Sequence, residues 1–282
     1  MSTWFITGAS RGFGLEIARQ ALERGDKVVA TARNPKGVQD ALAQYGDNLL
    51  AIALDVTDET QALAAVEEAV QKFGGIDVLV NNAGRGVLGA VEETTDAAFR
   101  SVYDTNVFGL ANVTRAVLPV MRRQRSGRVL NLSSIGGFRS AAGFGVYCST
   151  KFAVEGLSEA MRDELAPLGI QVTIVEPGYF RTDFLDATSL HTEGQVISDY
   201  AGTAGAVREA VPGLNHAQPG DPVKGAAAVL TLADAANPPQ RAQLGSDCVA
   251  EMDRKIAHLR EETDAWRELA LSTDHDDVKG AV

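Results

Sequence analysis

A tyrosine and a lysine stand four residues apart in the segment "YCSTK", from Tyr147 to Lys151. On a helix, side chains at this spacing lie one above the other, with Cβ atoms about 5–6 Å apart. A neighbouring cation favours the charged form of an acid, so Lys151 would lower the pKa of the Tyr147 phenol towards neutral pH, where general acid–base catalysis is efficient. An exposed aromatic–cation pair on an ordinary helix is the alternative, and the spacing alone favours it.

The elements that would position this pair follow an alternating pattern. The apolar segments lack polar alternation, which is typical of parallel strands covered on both faces. Strand–helix alternation predicts an α/β fold, a Rossmann-type doubly wound parallel sheet with helices on both faces, and ligands bind such sheets at the carboxyl ends of the strands. The predicted strands are 3–7, 27–31, 49–54, 76–81, 127–133 and 170–176, and the predicted helices are 13–24, 37–45, 58–73, 96–124 and 147–167.

Composition and charge exclude several classes of function. Of the 282 residues, 45% are hydrophobic and 22% are charged, which is typical of a globular protein. The net charge of −11 disfavours broad binding to nucleic acid, and we expect no membrane span and no signal peptide. Cys148 and Cys248 have no partners at disulfide or metal-ligand spacing, so we expect reduced thiols, a cytoplasmic location and no metal site.

The first predicted strand runs directly into "TGASRGFG" at 7–14, with glycines at Gly8, Gly12 and Gly14. Glycine permits a tight turn and close approach of a pyrophosphate, and the N-terminus of the following helix supplies free N–H groups. The spacing differs from the general dinucleotide fingerprint, but the strand before it and the helix after it are the required context. A plain structural turn is the alternative.

The end of the second strand bears on the choice of cofactor. It reads Thr31-Ala32-Arg33, without the acidic residue that commonly holds the ribose 2′-hydroxyl of NAD. Arg33, together with Arg11 in the glycine loop, favours the 2′-phosphate of NADP(H), with NAD(H) as the alternative if both arginines are merely solvated. Asp55, after the third strand, is placed to accept a hydrogen bond from an adenine amino group.

Two more strand ends carry polar residues. The fourth strand ends in "NNAG" at 81–84, which fits a backbone bend against a ribose or a simple tight turn. The fifth ends in "NLSSIGG", so Ser133 and Ser134 fall on the same edge of the sheet as the other motifs. Turn serines are common, and it is the convergence of these strand ends that favours a site.

Taken together, the sequence resembles the classical short-chain dehydrogenase/reductase family. T-G-x-x-x-G-x-G at 7–14, N-N-A-G at 81–84, the Asn of "TNVFG", a Ser before Y-x-x-x-K, and "PG" followed by Thr at 177–182 occur in that family's order. The resemblance covers about 3–245. The segment "VEPGYFRTDF" and a long C-terminal helix look like the branch that contains 17β-hydroxysteroid and retinol dehydrogenase-like enzymes.

The resemblance implies specific roles. Tyr147 would be the general acid or base, Lys151 would lower its pKa and bind the nicotinamide ribose, Ser134 would orient the substrate oxygen, and Asn106 would keep a water-linked proton path to the lysine. Thr182 would contact the nicotinamide carboxamide. The cofactor-binding residues implied are Gly8, Ser10, Arg11, Gly12, Phe13, Gly14, Arg33, Asp55, Val56, Asn82, Ala83, Gly84, Tyr147, Lys151, Pro177, Gly178 and Thr182.

We therefore expect one dinucleotide-binding oxidoreductase domain over 1–282. Residues 178–222 would be a substrate lid, 247–271 an amphipathic helix packed on its own domain, and 272–282 a frayed tail. Family members often pair through two long helices, which predicts a homodimer or tetramer here. Arg139 and Arg181 could meet an anionic group, although solvated positions are the alternative. Apolar residues that would form a substrate mouth, or merely pack the lid, are Phe138, Phe144, Tyr179, Phe180, Phe184 and Leu185.

Several functions stay open at this point. The leading hypothesis is an NADP(H)-dependent carbonyl reductase, reversibly an alcohol dehydrogenase, that acts on a hydrophobic ketone, aldehyde or alcohol. An NAD-dependent alcohol dehydrogenase of the same fold is one alternative. A non-catalytic protein that senses NADPH and regulates a partner is another, and a redox-neutral epimerisation or dehydration is a third.

Overall fold

A computed structural model describes residues 1–192 and 194–275 of the chain. Seven parallel strands form one sheet in the order β3-β2-β1-β4-β6-β7-β9, and two short parallel strands, β5 and β8, pair separately. The strands are β1 (Thr3–Ile6), β2 (Lys27–Ala32), β3 (Leu49–Ala53), β4 (Val78–Asn81), β5 (Gly86–Leu88), β6 (Gly127–Leu132), β7 (Ile170–Pro177), β8 (Leu190–Thr192) and β9 (Arg241–Leu244).

Helices connect most of the strands, and no helix in the described part of the chain is long and apolar enough to cross a membrane. One π-helical turn, Asp104–Gly109, divides the predicted helix 96–124 into α4 and α5. The helices are α1 (Gly12–Glu23), α2 (Lys36–Leu42), α3 (Glu59–Phe73), α4 (Asp96–Tyr103), α5 (Leu110–Gln124), α6 (Gly145–Leu165), α7 (Ala206–Leu214), α8 (Pro222–Asp234), α9 (Ser246–Ala265) and α10 (Arg267–Leu271).

The sheet separates two apolar layers. Successive side chains of a strand point to opposite faces, so Trp4 and Ile6 of β1 join the layer that includes α1 and α8. Phe5 of the same strand joins the layer that includes α3 and α5. Since all four residues of β1 are buried, the strand shows no polar alternation. The predicted doubly wound parallel sheet is therefore confirmed.

The segment predicted as a lid contains more regular structure than its sequence suggests. Within 178–222, β8 pairs with β5 and α7 forms a helix. Phe180 also forms a backbone bridge with Gly220, so the two ends of the segment meet. These contacts are non-local, and for that reason hydrophobic periodicity does not reveal them.

The C-terminal helix contradicts one prediction. It was expected to pack along its own domain, yet Cys248 is its only buried residue among those described. Ile256 is 57% exposed and Leu259 is 47% exposed. Helical periodicity identifies an apolar face but not what covers it, which is why the prediction of packing was wrong. The helix is also interrupted at Trp266, and the predicted tail lies outside the described residues from 276 onwards.

Candidate active site

The carboxyl ends of the central strands open into a cavity of about 600 Å³. Every residue that the sequence predicted to bind a cofactor or to catalyse lines this cavity, apart from Asn106 and Gly14. Residues far apart in the sequence meet there because the carboxyl ends of parallel strands share one edge of the sheet.

Tyr147 and Ser134 form the floor of the cavity. Ser134 follows β6, and its hydroxyl accepts a hydrogen bond of 3.0 Å from the Gly136 amide. The same hydroxyl shares a hydrogen bond with the phenol of Tyr147, in the first turn of α6. Burial raises the pKa of Tyr147, and the Ser134 hydrogen bond opposes that rise only in part.

Lys151 lies one turn further along α6. Its ammonium donates a 2.7 Å hydrogen bond to the Leu132 carbonyl and stands 5.9 Å from the centre of the Tyr147 ring. Burial lowers the pKa of Lys151 to about 8, while the nearby charge of Glu155 acts in the opposite direction. The sequence predicted a lowered pKa for Tyr147, and this prediction is wrong. The pKa is raised, because burial of the phenol outweighs the effect of its neighbours.

Asn106 lies behind the cavity rather than in its lining. Its amide group donates to the Arg85 carbonyl at 2.9 Å and to the Thr150 hydroxyl at 3.0 Å, and its oxygen accepts from the Arg85 amide at 2.9 Å. The residue sits in the π-helical turn, a feature frequent at functional sites. Asn106 thus ties the loop after β4 to α6, the helix that carries Tyr147.

The glycine loop has the geometry of a diphosphate cradle. Gly8 and Gly12 adopt positive φ angles of 65° and 55°, and a Cβ at Gly14 would overlap the Gly8 carbonyl. Asn82 fastens the loop by donating to the carbonyls of Thr7 and Gly8 at 2.9 and 3.0 Å. The N-terminus of α1 has no side-chain cap and no acidic residue in its first turn, so its N–H groups fit an anionic cofactor.

The arginines at the adenosine end differ in their surroundings. Arg33 is exposed after β2 and lines the cavity, and within 1–192 and 194–275 it pairs with no carboxylate. Arg11 instead donates 2.6 Å hydrogen bonds to the hydroxyls of Thr188 and Ser189. The two arginines thus differ, because Arg11 is held by two hydroxyl groups whereas Arg33 keeps an exposed guanidinium at the end of β2.

The chain after β7 closes the other side of the cavity. A Cβ at Gly178 would overlap the Asp247 carboxylate, which accepts a 2.7 Å hydrogen bond from the Tyr179 amide. Thr182 lies close to the glycine loop. If Gly12 carried a Cβ atom, that atom would lie 3.5 Å from the Thr182 side chain. Thr182 and Gly178 thus border the same cavity, as the sequence predicted.

The predicted apolar mouth is smaller than expected. The rings of Phe144 and Phe184 lie 6.3 and 5.3 Å from that of Tyr147, and Tyr179 and Leu185 also line the cavity. Phe180 reaches the lining too, but it packs on Phe13 with ring centres 4.9 Å apart. The remaining predicted residue, Phe138, is not part of the lining.

Both arginines near the mouth make contacts within the described residues. Arg139 forms a 3.0 Å ion pair with Glu251. Arg181 donates to the Gln218 carbonyl at 3.3 and 3.1 Å. Neither residue is simply solvated, and contact of either with an anionic group stays a prediction.

Comparison with known proteins decides the family. The model of the family described as short chain dehydrogenase matches residues 2–193. The chain belongs to this short-chain dehydrogenase family. The predicted resemblance is thereby confirmed, and the protein is an oxidoreductase of a family that acts on small molecules.

Several relatives of this short-chain dehydrogenase match most of its length. The oxidoreductase BOA17 of Botryotinia fuckeliana is 40% identical over 271 residues, which are 96% of this chain and 98% of the relative. Retinol dehydrogenase 16 of Rattus norvegicus is 40% identical over 215 residues, 75% of this chain and 66% of the relative. A crystal structure of a short-chain dehydrogenase from Streptomyces avermitilis is 42% identical, with a TM-score of 0.90 over 97% of this chain and all of that one.

Solved structures of the family hold either nicotinamide cofactor. ElxO, 27% identical with a TM-score of 0.73 over 89% of this chain and all of that one, has NADP bound. A 3-ketoacyl-(acyl-carrier-protein) reductase from Brucella melitensis, 28% identical with a TM-score of 0.72 over 86% of this chain and 96% of that one, is complexed with NADH. Family membership alone therefore leaves the choice of cofactor open.

Sequence reasoning missed a buried carboxyl pair behind the floor of the cavity. Glu155 follows Lys151 by one turn of α6, and Glu176 lies near the end of β7. Arg241 approaches them at 3.0 and 3.4 Å. Burial raises the pKa of both carboxyls, that of Glu176 to about 7. The four-residue spacing from Lys151 to Glu155 was the available signal.

We expect this pair to make the stability of the dehydrogenase depend on pH. An ordinary glutamate loses its proton near pH 4.5, whereas folded Glu176 keeps it to about 7. The folded state therefore binds more protons in this window, and the free energy of unfolding falls as pH rises through it. Glu176→Gln should reduce that fall by on the order of 2 kcal/mol in urea unfolding.

Glu159→Gln is the matched control, because Glu159 also pairs with Arg241 but is 49% exposed. It should leave the pH dependence close to that of the wild type. Equal slopes for the wild type and Glu176→Gln would contradict the prediction.

Proposed function

We propose that this short-chain dehydrogenase is an NADP(H)-dependent oxidoreductase that interconverts a hydrophobic ketone or aldehyde and its alcohol. The observation that carries the proposal is the convergence of Ser134, Tyr147 and Lys151 on the floor of the cavity that begins at the glycine loop. Nucleotide binding and proton transfer then share one space, as hydride chemistry requires.

The residues present account for the proton side of the reaction. Bound NADPH would supply the hydride to the carbonyl carbon. The Tyr147 phenol gives its proton to the carbonyl oxygen, the Ser134 hydroxyl orients that oxygen, and the Lys151 ammonium stabilises the tyrosinate that forms. Because burial raises the pKa of Tyr147, the phenol is protonated at neutral pH, as an acid in the reductive direction must be.

Two features of the cavity support NADP(H) as the cofactor and a hydrophobic compound as the substrate. Arg33 offers a guanidinium at the end of β2, where a charge-assisted hydrogen bond to a 2′-phosphate would favour NADP(H) over NAD(H). Phe144, Phe184 and Leu185 present apolar surface beside Tyr147, which suits an uncharged hydrophobic substrate.

Association through the long helices is a further part of the proposal. Phe108, in the turn before α5, and Phe152 and Leu157 of α6 are 57%, 45% and 41% exposed. Large exposed apolar side chains on neighbouring elements are typical of an association surface. They support the predicted homodimer or tetramer, and the mass in solution tests it.

The direct test is consumption of NADPH with a panel of carbonyl compounds that ranges from small polar aldehydes to bulky aliphatic and cyclic ketones. We expect turnover to increase with the apolar surface of the substrate. A folded protein that binds NADPH but reduces none of these compounds would contradict the proposal and favour the regulatory alternative.

The pH dependence of reduction should report Lys151. Its pKa of about 8 means that the ammonium is charged below pH 8 and loses its charge above it. The phenol of Tyr147 stays protonated over this range, since its pKa is raised. We therefore expect kcat/KM for carbonyl reduction to fall as pH rises through about 8, measured at saturating NADPH.

Lys151→Arg provides the control, because a guanidinium keeps its charge at all pH values used. Whatever its absolute rate, the variant should show no decline centred near pH 8. A wild-type profile that stays flat through pH 9, or a variant profile with the same decline, would contradict the assignment.

A further inference from the structure

The C-terminal helix α9 carries a seam of heptad spacing that the site described above does not use. Apolar side chains at alternating steps of three and four residues are the signature of a two-helix coiled coil. The apolar seam positions on α9 are Val249, Met252, Ile256 and Leu259; the polar Thr263 continues the spacing, and Trp266 stands at the next position, just beyond the end of the helix.

No other described part of the chain covers this seam. The helix is anchored at its start by buried Cys248 and by the ion pair between Glu251 and Arg139. From Asp253 to Ala265 its side chains are exposed, except for the partly buried Lys255. This stretch would extend about 20 Å, and a helix of that length is marginal in water without a partner.

The charged residues beside the seam would face opposite charges if two copies of α9 paired about a two-fold axis. Consider two antiparallel copies of α9 with the axis midway between Ile256 and Leu259, so that each Ile256 faces the partner's Leu259. On one flank Lys255 then lies opposite the partner's Glu262, and on the other flank Asp253 lies opposite the partner's Arg260. By symmetry each contact occurs twice, and every contact joins opposite charges.

Other arrangements fit less well. In a parallel coiled coil, a residue beside the seam of one helix faces the residue five positions later in the partner. Lys255 would then face the partner's Arg260, which is a like-charge contact. A negatively charged lipid surface is disfavoured because α9 carries acidic as well as basic residues on both flanks, in a chain of net charge −11. We propose that α9 pairs in antiparallel fashion with α9 of a second copy of this chain.

This pairing is independent of the proposed chemistry and of the surface formed by Phe108, Phe152 and Leu157. By itself it produces a dimer with two-fold symmetry. If the surface of the long helices also associates, the two interfaces together produce a tetramer. In either case, loss of the α9 pairing halves the mass of the assembly.

Charge redesign of the flanks tests the pairing. An acidic variant, Lys255→Glu/Arg260→Glu, makes both flanks acidic, and a basic variant, Asp253→Lys/Glu262→Lys, makes both flanks basic. Each variant alone should show half the wild-type mass in sedimentation equilibrium, with a dissociation constant for self-association raised at least about 10-fold. An equal mixture of the two should recover the wild-type mass.

Two further variants address orientation and specificity. The exchange Lys255→Glu/Glu262→Lys keeps opposite charges face to face in the antiparallel pair, so its mass should equal that of the wild type. Lys224→Glu changes the charge at an exposed site on α8 and should also have no effect. Circular dichroism confirms that each variant is folded.

Trp266 supplies a second readout. Trp266 directly follows the last residue of α9, so pairing would bring its indole towards the partner's Val249 and out of water, and its emission should shift to shorter wavelength as wild-type concentration rises. Trp4 is fully buried and contributes a constant signal. The proposal is overturned if the wild type and the acidic variant have the same mass across the micromolar range, or if the mixture of acidic and basic variants recovers nothing.

Discussion

Tyr147→Phe is expected to lower kcat for carbonyl reduction by about 10²–10⁴-fold, because the phenol is the proton donor to the carbonyl oxygen. Phenylalanine keeps the ring that packs between Phe144 and Phe184, so the shape of the cavity should persist. The affinity for NADPH, measured by fluorescence titration, should change little, since the proton that is lost belongs to the chemical step.

Tyr103→Phe is the matched control for this loss. The Tyr103 phenol donates to the Ser149 hydroxyl at 3.0 Å and does not line the cavity. Its removal should leave kcat within about twofold of the wild type, because this partly buried hydrogen bond has a modest energy and lies outside the cavity. Comparable rates for the two variants would exclude Tyr147 as the proton donor.

The same variant separates the enzyme from the regulatory alternative. If the protein only senses NADPH, then the wild type and Tyr147→Phe will bind the cofactor equally and neither will reduce any carbonyl compound. If it is an enzyme, the two proteins bind alike but differ in turnover. Isotope retained in a product of unchanged oxidation state would instead indicate epimerisation or dehydration.

Arg33→Ala is expected to reduce the preference for NADPH over NADH by about 10–100-fold. A hydrogen bond to a charged group contributes about 1.5–3 kcal/mol, and about 1.4 kcal/mol corresponds to a factor of ten in affinity. The loss should fall almost entirely on the Kd of NADPH, because NADH has no 2′-phosphate for Arg33 to meet. Fluorescence titration of both cofactors measures the two constants directly.

Two other arginines provide controls for Arg33. Arg115, exposed on α5, lies outside the cavity lining, and Arg115→Ala should leave both cofactor constants unchanged. Arg11→Ala removes the hydrogen bonds to Thr188 and Ser189, so it should weaken both cofactors without altering the preference between them. If the wild type binds NADPH and NADH with equal Kd, and Arg33→Ala changes neither Kd, the result would favour NAD-dependent alcohol oxidation.

Local patterns predicted the elements of the sheet well but not the coverage of the last helix. The continuous apolar strands predicted a parallel sheet because burial on both faces removes polar alternation, as in β1. The apolar face of α9 was equally regular, yet it lies open at Ile256 and Leu259. A period along one element reports the element and its face, whereas coverage depends on segments distant in sequence or on another chain.

By itself, the sequence determined which groups meet at the carboxyl edge of the sheet, because the residues that follow each strand and the four-residue helical spacing are local properties of the chain. It thereby placed Ser134, Tyr147 and Lys151 in one site. Only the tertiary structure decided the direction of the Tyr147 pKa, the engagement of Arg11 with Thr188, and the burial of Glu176. These depend on desolvation and on contacts across many residues, which no spacing along the chain encodes.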